Sequence, residues 1–202
     1  MRKKPDRSKD AGDARDRILR SAMTLFAKRG FDGTATKAIA EHAGVPAGLL
    51  FYYFPSKEHL LEAILSGDNW YDAFRRLSET LPDGPVLERF SALALGMLQW
   101  MERNRERSLL FFQEMTSHRK CAAALRGTRQ HLIADLARLI EIEMQRGALR
   151  ESNATMLSHV LTAEILVAAI VDQPAQQKRY AAGIIDCVLG PLAVQPRKRA
   201  AN

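Results

Sequence analysis

The stretch Thr36-Lys37-Ala38-Ile39-Ala40-Glu41-His42-Ala43-Gly44-Val45-Pro46-Ala47-Gly48-Leu49-Leu50-Phe51-Tyr52-Tyr53-Phe54 decides how the chain reads. Two helices of about two turns each, joined tightly, need small residues where they cross, a residue tolerant of positive φ at the turn, and an apolar anchor just after it. Ala40 and Ala43 supply the small contacts, Gly44 the turn and Val45 the anchor. Pro46 suits the first turn of the second helix, where its missing N–H is harmless. On that helix Leu50 and Phe54 share an inward face, which leaves Ala47, Gly48, Leu49 and Tyr52 for the other side. A second helix presented in this way is the element that enters a DNA major groove.

Working outward, helical spacing recurs and strand alternation does not. Ile18, Leu19, Ala22, Leu25 and Phe26 mark one face of a first helix, with Asp13 upstream as its cap and Gly30 as its stop. Ser56 is placed to cap a fourth helix running from about Lys57 to Thr80, and Pro82-Asp83-Gly84-Pro85 breaks the chain after it. Further helices are expected over 86–104, 107–118, 121–145, 154–172 and 175–189, with Pro174 opening the last and Gly190-Pro191 closing it. The fold class is all-α.

Of the 202 residues, 47% are apolar and 26% charged, enough for a packed core without disulfide staples. The net charge of +7 is unevenly placed. Residues 1–60 carry 12 Lys/Arg against 7 Asp/Glu, whereas 61–202 carry 18 against 16, three of the 18 being Arg197, Lys198 and Arg199. Attraction to phosphate is therefore concentrated in the N-terminal third and at the tail. Cys121 and Cys187 stand far apart in apolar surroundings, which reads as two small core residues in a reducing cytoplasm. Met1-Arg2-Lys3-Lys4 is not followed by an apolar signal region, and the longest apolar run, 160–171, is interrupted by Thr162 and Glu164 and is too short to span a bilayer. A cytoplasmic protein without membrane contact is expected.

Residues 15–61 resemble the DNA-binding domain of the TetR family of bacterial transcriptional regulators. The resemblance rests on Ile18-Leu19, Ala22, Leu25-Phe26-Ala27, Gly30-Phe31, Thr34, Ile39-Ala40, Ala43-Gly44-Val45, Gly48, Tyr52-Tyr53-Phe54, Lys57 and Leu60-Leu61. It implies an N-terminal three-helix bundle with a helix-turn-helix, followed by a C-terminal helical domain for ligand binding and dimerisation. The expected division is a flexible basic arm over 1–12, the DNA-binding domain over 13–56, the effector-binding and dimerisation domain over 57–191, and a disordered basic tail over 192–202. It also implies a homodimeric repressor that binds a near-palindromic double-stranded operator and is released by a small molecule. Position by position, Thr36, Lys37, Ala47, Gly48, Leu49, Tyr52, Tyr53 and Lys57 correspond to DNA contacts. Three departures matter: Ala35 where a capping Ser or Thr is usual, Ala47 and Leu49 where polar residues are common, and Phe51 where a Tyr is usual. With no Arg, Asn or Gln between Val45 and Phe54, direct readout is expected from Lys37, from Tyr52, and from apolar contact of Ala47 or Leu49 with thymine methyls, DNA shape adding the rest. The basic arm, with Arg2, Lys3, Lys4, Arg7 and Lys9, reads either as a groove-tracking segment or as a solvated tail.

Beyond residue 61 the resemblance lies in helical layout alone. Trp70, Phe74, Met97, Trp100, Met101, Phe111, Phe112, Met115 and His118 are bulky or adaptable side chains suited either to plain core packing or to lining a hydrophobic effector pocket. Leu157, Leu161, Ile165 and Ala168, with Ala181, Ile184, Ile185 and Val188, form stripes suited to a four-helix bundle made by two subunits, burial within one subunit being the alternative. Glu164 reads either as an exposed carboxylate or as a ligand-facing one. No zinc-ligand spacing, catalytic serine motif or phosphate loop is present, so neither an enzyme nor a cofactor is expected. An architectural DNA-coating protein without an effector is the remaining rival, and the near-neutral body argues against it.

Overall fold

The computed structural model describes residues 7–67, 69–110, 119–171 and 176–194, and it is helical almost throughout. The helices are α1 (Arg7–Arg29), α2 (Thr36–Ala43), α3 (Ala47–Tyr53), α4 (Lys57–Leu65), α5 (Trp70–Glu79), α6 (Val86–Arg103), α7 (Arg119–Gln145), α8 (Ala154–Val171) and α9 (Gln177–Leu189). Residues 105–110 are also helical. The one β-type pairing among the described residues is an isolated bridge between Leu149 and Ala193.

Several expectations are revised. α1 starts at Arg7, six residues before Asp13, which serves not as its cap but as the i,i+4 partner of Arg17 at 3.2 Å. The expected helix over 57–80 is two helices, α4 and α5. The polar, glycine-containing run 66–69 separates them and acts as a breaker. Pro174 lies outside the described residues. α9 does end at Leu189, before Gly190-Pro191, and the chain continues with Gly190 at φ −52° into a short 3-10 turn over Gly190–Leu192.

The chain forms two compact units. One closes at Asn69 and takes back the segment that begins at Asn104; the other comprises Trp70–Arg103 and the chain from Leu125 onward. In the first unit, Ile18, Ala22 and Phe26 of α1 bury against Ile39 and Ala40 of α2, Leu50 of α3 and Leu60, Leu61 and Ile64 of α4. Leu110 is fully buried in the same cluster, and Thr24 donates to Glu106 across 3.1 Å. The core thus runs past residue 56, because the apolar face of α4 completes it. In the second unit, α9 packs on α6 and α8, and α5 packs on α6. The carboxylate of Glu143 on α7, almost fully buried, accepts from Arg89 of α6 at 2.6 Å and from Arg146 at 3.0 Å. Tyr71 of α5 donates to Asp135 of α7 at 2.7 Å. Asn153 caps α8 by accepting from the Met156 N–H at 2.9 Å, and Gly147, at φ +72°, ends α7.

Candidate functional site

The turn between α2 and α3 is built as its sequence requires. Gly44 adopts φ +65° and caps α2, its N–H reaching the Glu41 carbonyl at 3.1 Å while the Val45 N–H reaches that of Ala40 at 3.0 Å. Any side chain at Gly44 meets the steric cost of left-handed backbone. Val45 and Ala43 are buried, and α3 follows directly from Pro46, which occupies the cap position rather than the first turn. The N-terminus of α2 has no side-chain cap. Ala35 offers none, and the Thr34 hydroxyl is turned toward α1, 2.8 Å from the Gly30 carbonyl. α2 is tied to α1 by His42, whose Nδ1 lies 3.0 Å from the Ser21 hydroxyl.

This frame sorts the residues of α3. Leu50 is fully buried, and Leu49 and Tyr53 pack partly against the same core. The outward quarter consists of Ala47, Gly48, Phe51 and Tyr52, with Phe51 48% and Tyr52 78% exposed. Leu49 and Tyr53 are therefore flanking rather than outward-facing, because a seven-residue helix on a core cannot present every side. Phe51, which the resemblance marks only as a lost hydroxyl, belongs to the presented face. Its position four residues after Ala47 and three after Gly48 is the signal that identifies it. Tyr52 and Tyr53 meet edge-on, ring centroids 5.2 Å apart.

The cations around α3 differ in how they are held. Lys37 is exposed and only 4.0 Å from Glu41, a loose i,i+4 pair. Thr36 is half-buried at the start of α2. Lys57 is engaged: its ammonium donates to the Phe31 carbonyl at 2.8 Å and sits 4.3 Å from the centroid of the Phe31 ring. It staples the start of α4 to the loop after α1, and an ammonium retains further donors for a phosphate. Ser56 caps α4 by accepting from the His59 N–H, and its hydrogen bond to Glu58 is the main reason that this carboxyl is held below its usual range. Arg15 lies 5.3 Å over the Phe54 ring. The side chains of the basic arm before Asp13 lie outside the described residues.

The second unit encloses a small apolar cavity of about 30 Å³. Trp70, Phe74, Met97 and Met101 line it. Trp100 is buried elsewhere, and Phe111, Phe112, Met115 and His118 lie outside the described residues. Leu161, Ile165 and Ile185, expected at a subunit interface, line this cavity instead. Ala168, Ala181 and Ile184 are likewise buried within their own unit, while Leu157 and Val188 are half-buried. The exposed apolar residues of α8 are Met156, Val160, Val167 and Ile170, one residue, or about 100°, around the helix from the expected stripe. Glu164 is exposed beside them, in a surface groove shared with Arg179, Tyr180 and Cys187, and so is not a ligand-facing group of the cavity. Cys187 is exposed and not a core residue, because Ile185 and Leu189 take the inward face of α9. Among the described residues, no helix is long and apolar enough to cross a membrane.

A helical core that exposes the second helix of a helix-turn-helix, and a separate helical unit with its own cavity, define a two-unit helix-turn-helix protein. Residues 18–64 match the model of the family described as bacterial regulatory proteins, tetR family. It is 28% identical over 112 residues to the HTH-type transcriptional repressor KstR2 of Mycolicibacterium smegmatis, covering 54% of each chain. The chain spans about half the length of the curated relatives it matches, and these are named as transcriptional repressors and regulators rather than enzymes. Among solved structures, a tetR-family transcription regulator from Shewanella sp. PV-4 aligns with a TM-score of 0.66 at 27% identity, covering 90% of this chain and 99% of that one. AibR, solved in complex with isovaleryl coenzyme A and operator DNA, aligns with a TM-score of 0.66 at 18% identity over 87% of this chain and 98% of its own.

Proposed function

We propose that the chain is a transcriptional repressor. In this reading it binds a near-palindromic operator as a homodimer, through α3 and the start of α2, and releases it when a small hydrophobic effector enters the second unit. The observation that carries the reading is the outward face of α3. Ala47, Gly48, Phe51 and Tyr52 are held in the open by a buried opposite face and a left-handed glycine turn. Two exposed aromatic side chains on so short a helix add nothing to the buried core, and a major groove is the surface they fit. The basic surplus before residue 61 supplies the phosphate attraction. The KstR2 relative is named a repressor, and AibR, of the same fold, is described with both a ligand and operator DNA. Dimerisation is assigned to the exposed face of α8 formed by Met156, Val160, Val167 and Ile170.

Selection of bound sequences from a random DNA pool tests the reading. The expected result is an inverted repeat, with thymines opposite α3. Tyr52→Ala is expected to lower affinity for the selected site by about tenfold and to relax preference at the base it meets. A pool that returns no common sequence fits a DNA-coating protein, and a base preference that Tyr52→Ala leaves untouched removes α3 as the reader.

A further inference from the structure

We propose that the cavity of the second unit takes an electrically neutral, largely apolar molecule that presents one hydrogen-bonding oxygen to the hydroxyl of Thr162. The inference rests on the reading of this unit as an effector site and specifies the chemistry of what enters it. Thr162 forms part of the cavity wall, is only 3% exposed, and its Oγ1 is buried without a hydrogen-bond partner. A hydroxyl in that state has lost its water without gaining a partner, which is unfavourable.

The same helix shows the ordinary alternative. One turn earlier, the buried Ser158 hydroxyl donates back to the Ala154 carbonyl at 2.8 Å, the usual outlet for a hydroxyl inside a helix. Thr162 does not take this outlet. Apart from the Trp70 indole, the other described side chains of the wall are Phe, Leu, Ile, Ala and Met, without an N–H or O–H among them.

The wall also restricts the charge of an occupant. No described lining residue is ionisable, so a carboxylate or an ammonium would lose its hydration with no counter-charge to replace it. The nearest candidates on α8 and α9, Glu164 and Arg179, belong to the outer groove. A single ketone, ether or hydroxyl oxygen satisfies Thr162 without that penalty. The free space, about 30 Å³, is room for roughly two waters, so an organic ligand has to part the helices. Met97 and Met101 in the wall are the unbranched, adaptable side chains that permit such repacking.

The test uses the full chain, the variants Thr162→Val and Thr162→Ser, and three probes of one shape: naphthalene, 2-naphthol and ionised 2-naphthoate. Dissociation constants are read by calorimetry and thermal shift in the absence of DNA. The expected result is that 2-naphthol binds about tenfold tighter than naphthalene to the wild-type chain and that 2-naphthoate does not bind. Thr162→Val is expected to melt no lower than wild type, to keep its naphthalene affinity and to bring the naphthol-to-naphthalene ratio to about one, whereas Thr162→Ser retains the preference. A ratio unchanged in Thr162→Val, a preference for 2-naphthoate, or a Thr162→Val chain that melts lower, which would reveal a structural partner for the hydroxyl, overturns the inference while leaving an effector site intact. If no probe binds any variant, the effector part of the proposed function falls with it. The operator selection is unaffected by either outcome.

Discussion

At the residue scale, two glycines four residues apart have opposite reasons to be glycine. Gly44 is needed by the backbone, at φ +65°. Gly48 is not: it lies in ordinary right-handed helix, and a Cβ built on it meets nothing within 4 Å. Glycine inside a helix costs about 0.5–1 kcal/mol relative to alanine. Neither turn geometry nor internal packing explains Gly48, and its place on the outward face beside Tyr52 points to a close approach of the α3 backbone to DNA. Gly48→Ala is therefore expected to raise the melting temperature by about 1–4 °C while weakening operator binding by about tenfold or more, measured by thermal unfolding and by titration of labelled operator. A variant that melts higher and binds as before assigns Gly48 no role at the groove. The contrast also marks what sequence could deliver. The need for Gly44 is legible because a helix-turn-helix requires positive φ at that position, whereas the freedom around Gly48 depends on which flank of α3 the core covers. The same uncertainty put Leu49 and Tyr53 among the outward residues and left Phe51 out.

At the scale of elements, the contacts that sequence reasoning recovered least well join helices distant in the chain. His131 and Asp135 have the spacing of a surface pair, yet Asp135 accepts the phenol of Tyr71, with the His131 ring centroid 5.7 Å from that of Tyr71. No periodicity encodes such a pairing, because it depends on how α5 crosses α7. It has a measurable consequence. The hydrogen bond to the Asp135 carboxylate, assisted by burial, raises the Tyr71 phenol above its ordinary value near 10. Ionisation would replace a donor with a phenolate facing a carboxylate. Because the folded-state value is the higher one, the stabilisation is complete below about pH 10, where the unfolded phenol is still neutral, and is lost as pH rises through the folded value. Tyr71→Phe is expected to lose about 1–2 kcal/mol at pH 8 and to unfold with a shallower decline than wild type from pH 10 upward, followed by urea denaturation across that range. Parallel declines for the two proteins would mean that the phenol does not couple to folding. α8 carries a related lesson. A helix that is apolar nearly all round has a weak directional signal, so its sequence does not say which side meets its own unit and which is left for another chain. Leu161 went to the core, Ile165 half-buried to the cavity wall, and Val160 and Val167 to the surface, on a helix that packs against α6 and α9.

At the scale of the molecule, the charge is unevenly divided: the surplus sits on residues 1–60, and the chain after them is nearly neutral. A nearly neutral surface carrying Met156, Val160, Val167 and Ile170 in one exposed stripe is suited to self-association, since a second copy brings the same stripe and no net repulsion. Glu164 and Arg179, neighbours in the adjoining groove, are of opposite sign and can pair across a two-fold axis. A stable interface needs about 800 Å² from each partner. The double substitution Val160→Glu and Val167→Glu places four added carboxylates at such an interface and none in the core, because both positions are exposed in the single chain. The variant is expected to sediment as a monomer, to keep the helical content and melting cooperativity of a folded chain, and to bind an isolated half-site as wild type does. Its affinity for the full inverted repeat is expected to fall by at least 100-fold, because linking two weak half-site contacts through a dimer multiplies affinity by about 10²–10⁴. A double variant that remains dimeric moves the interface to another surface of the second unit. One that becomes monomeric without losing full-site affinity separates self-association from operator recognition and removes the two-fold reading of the site.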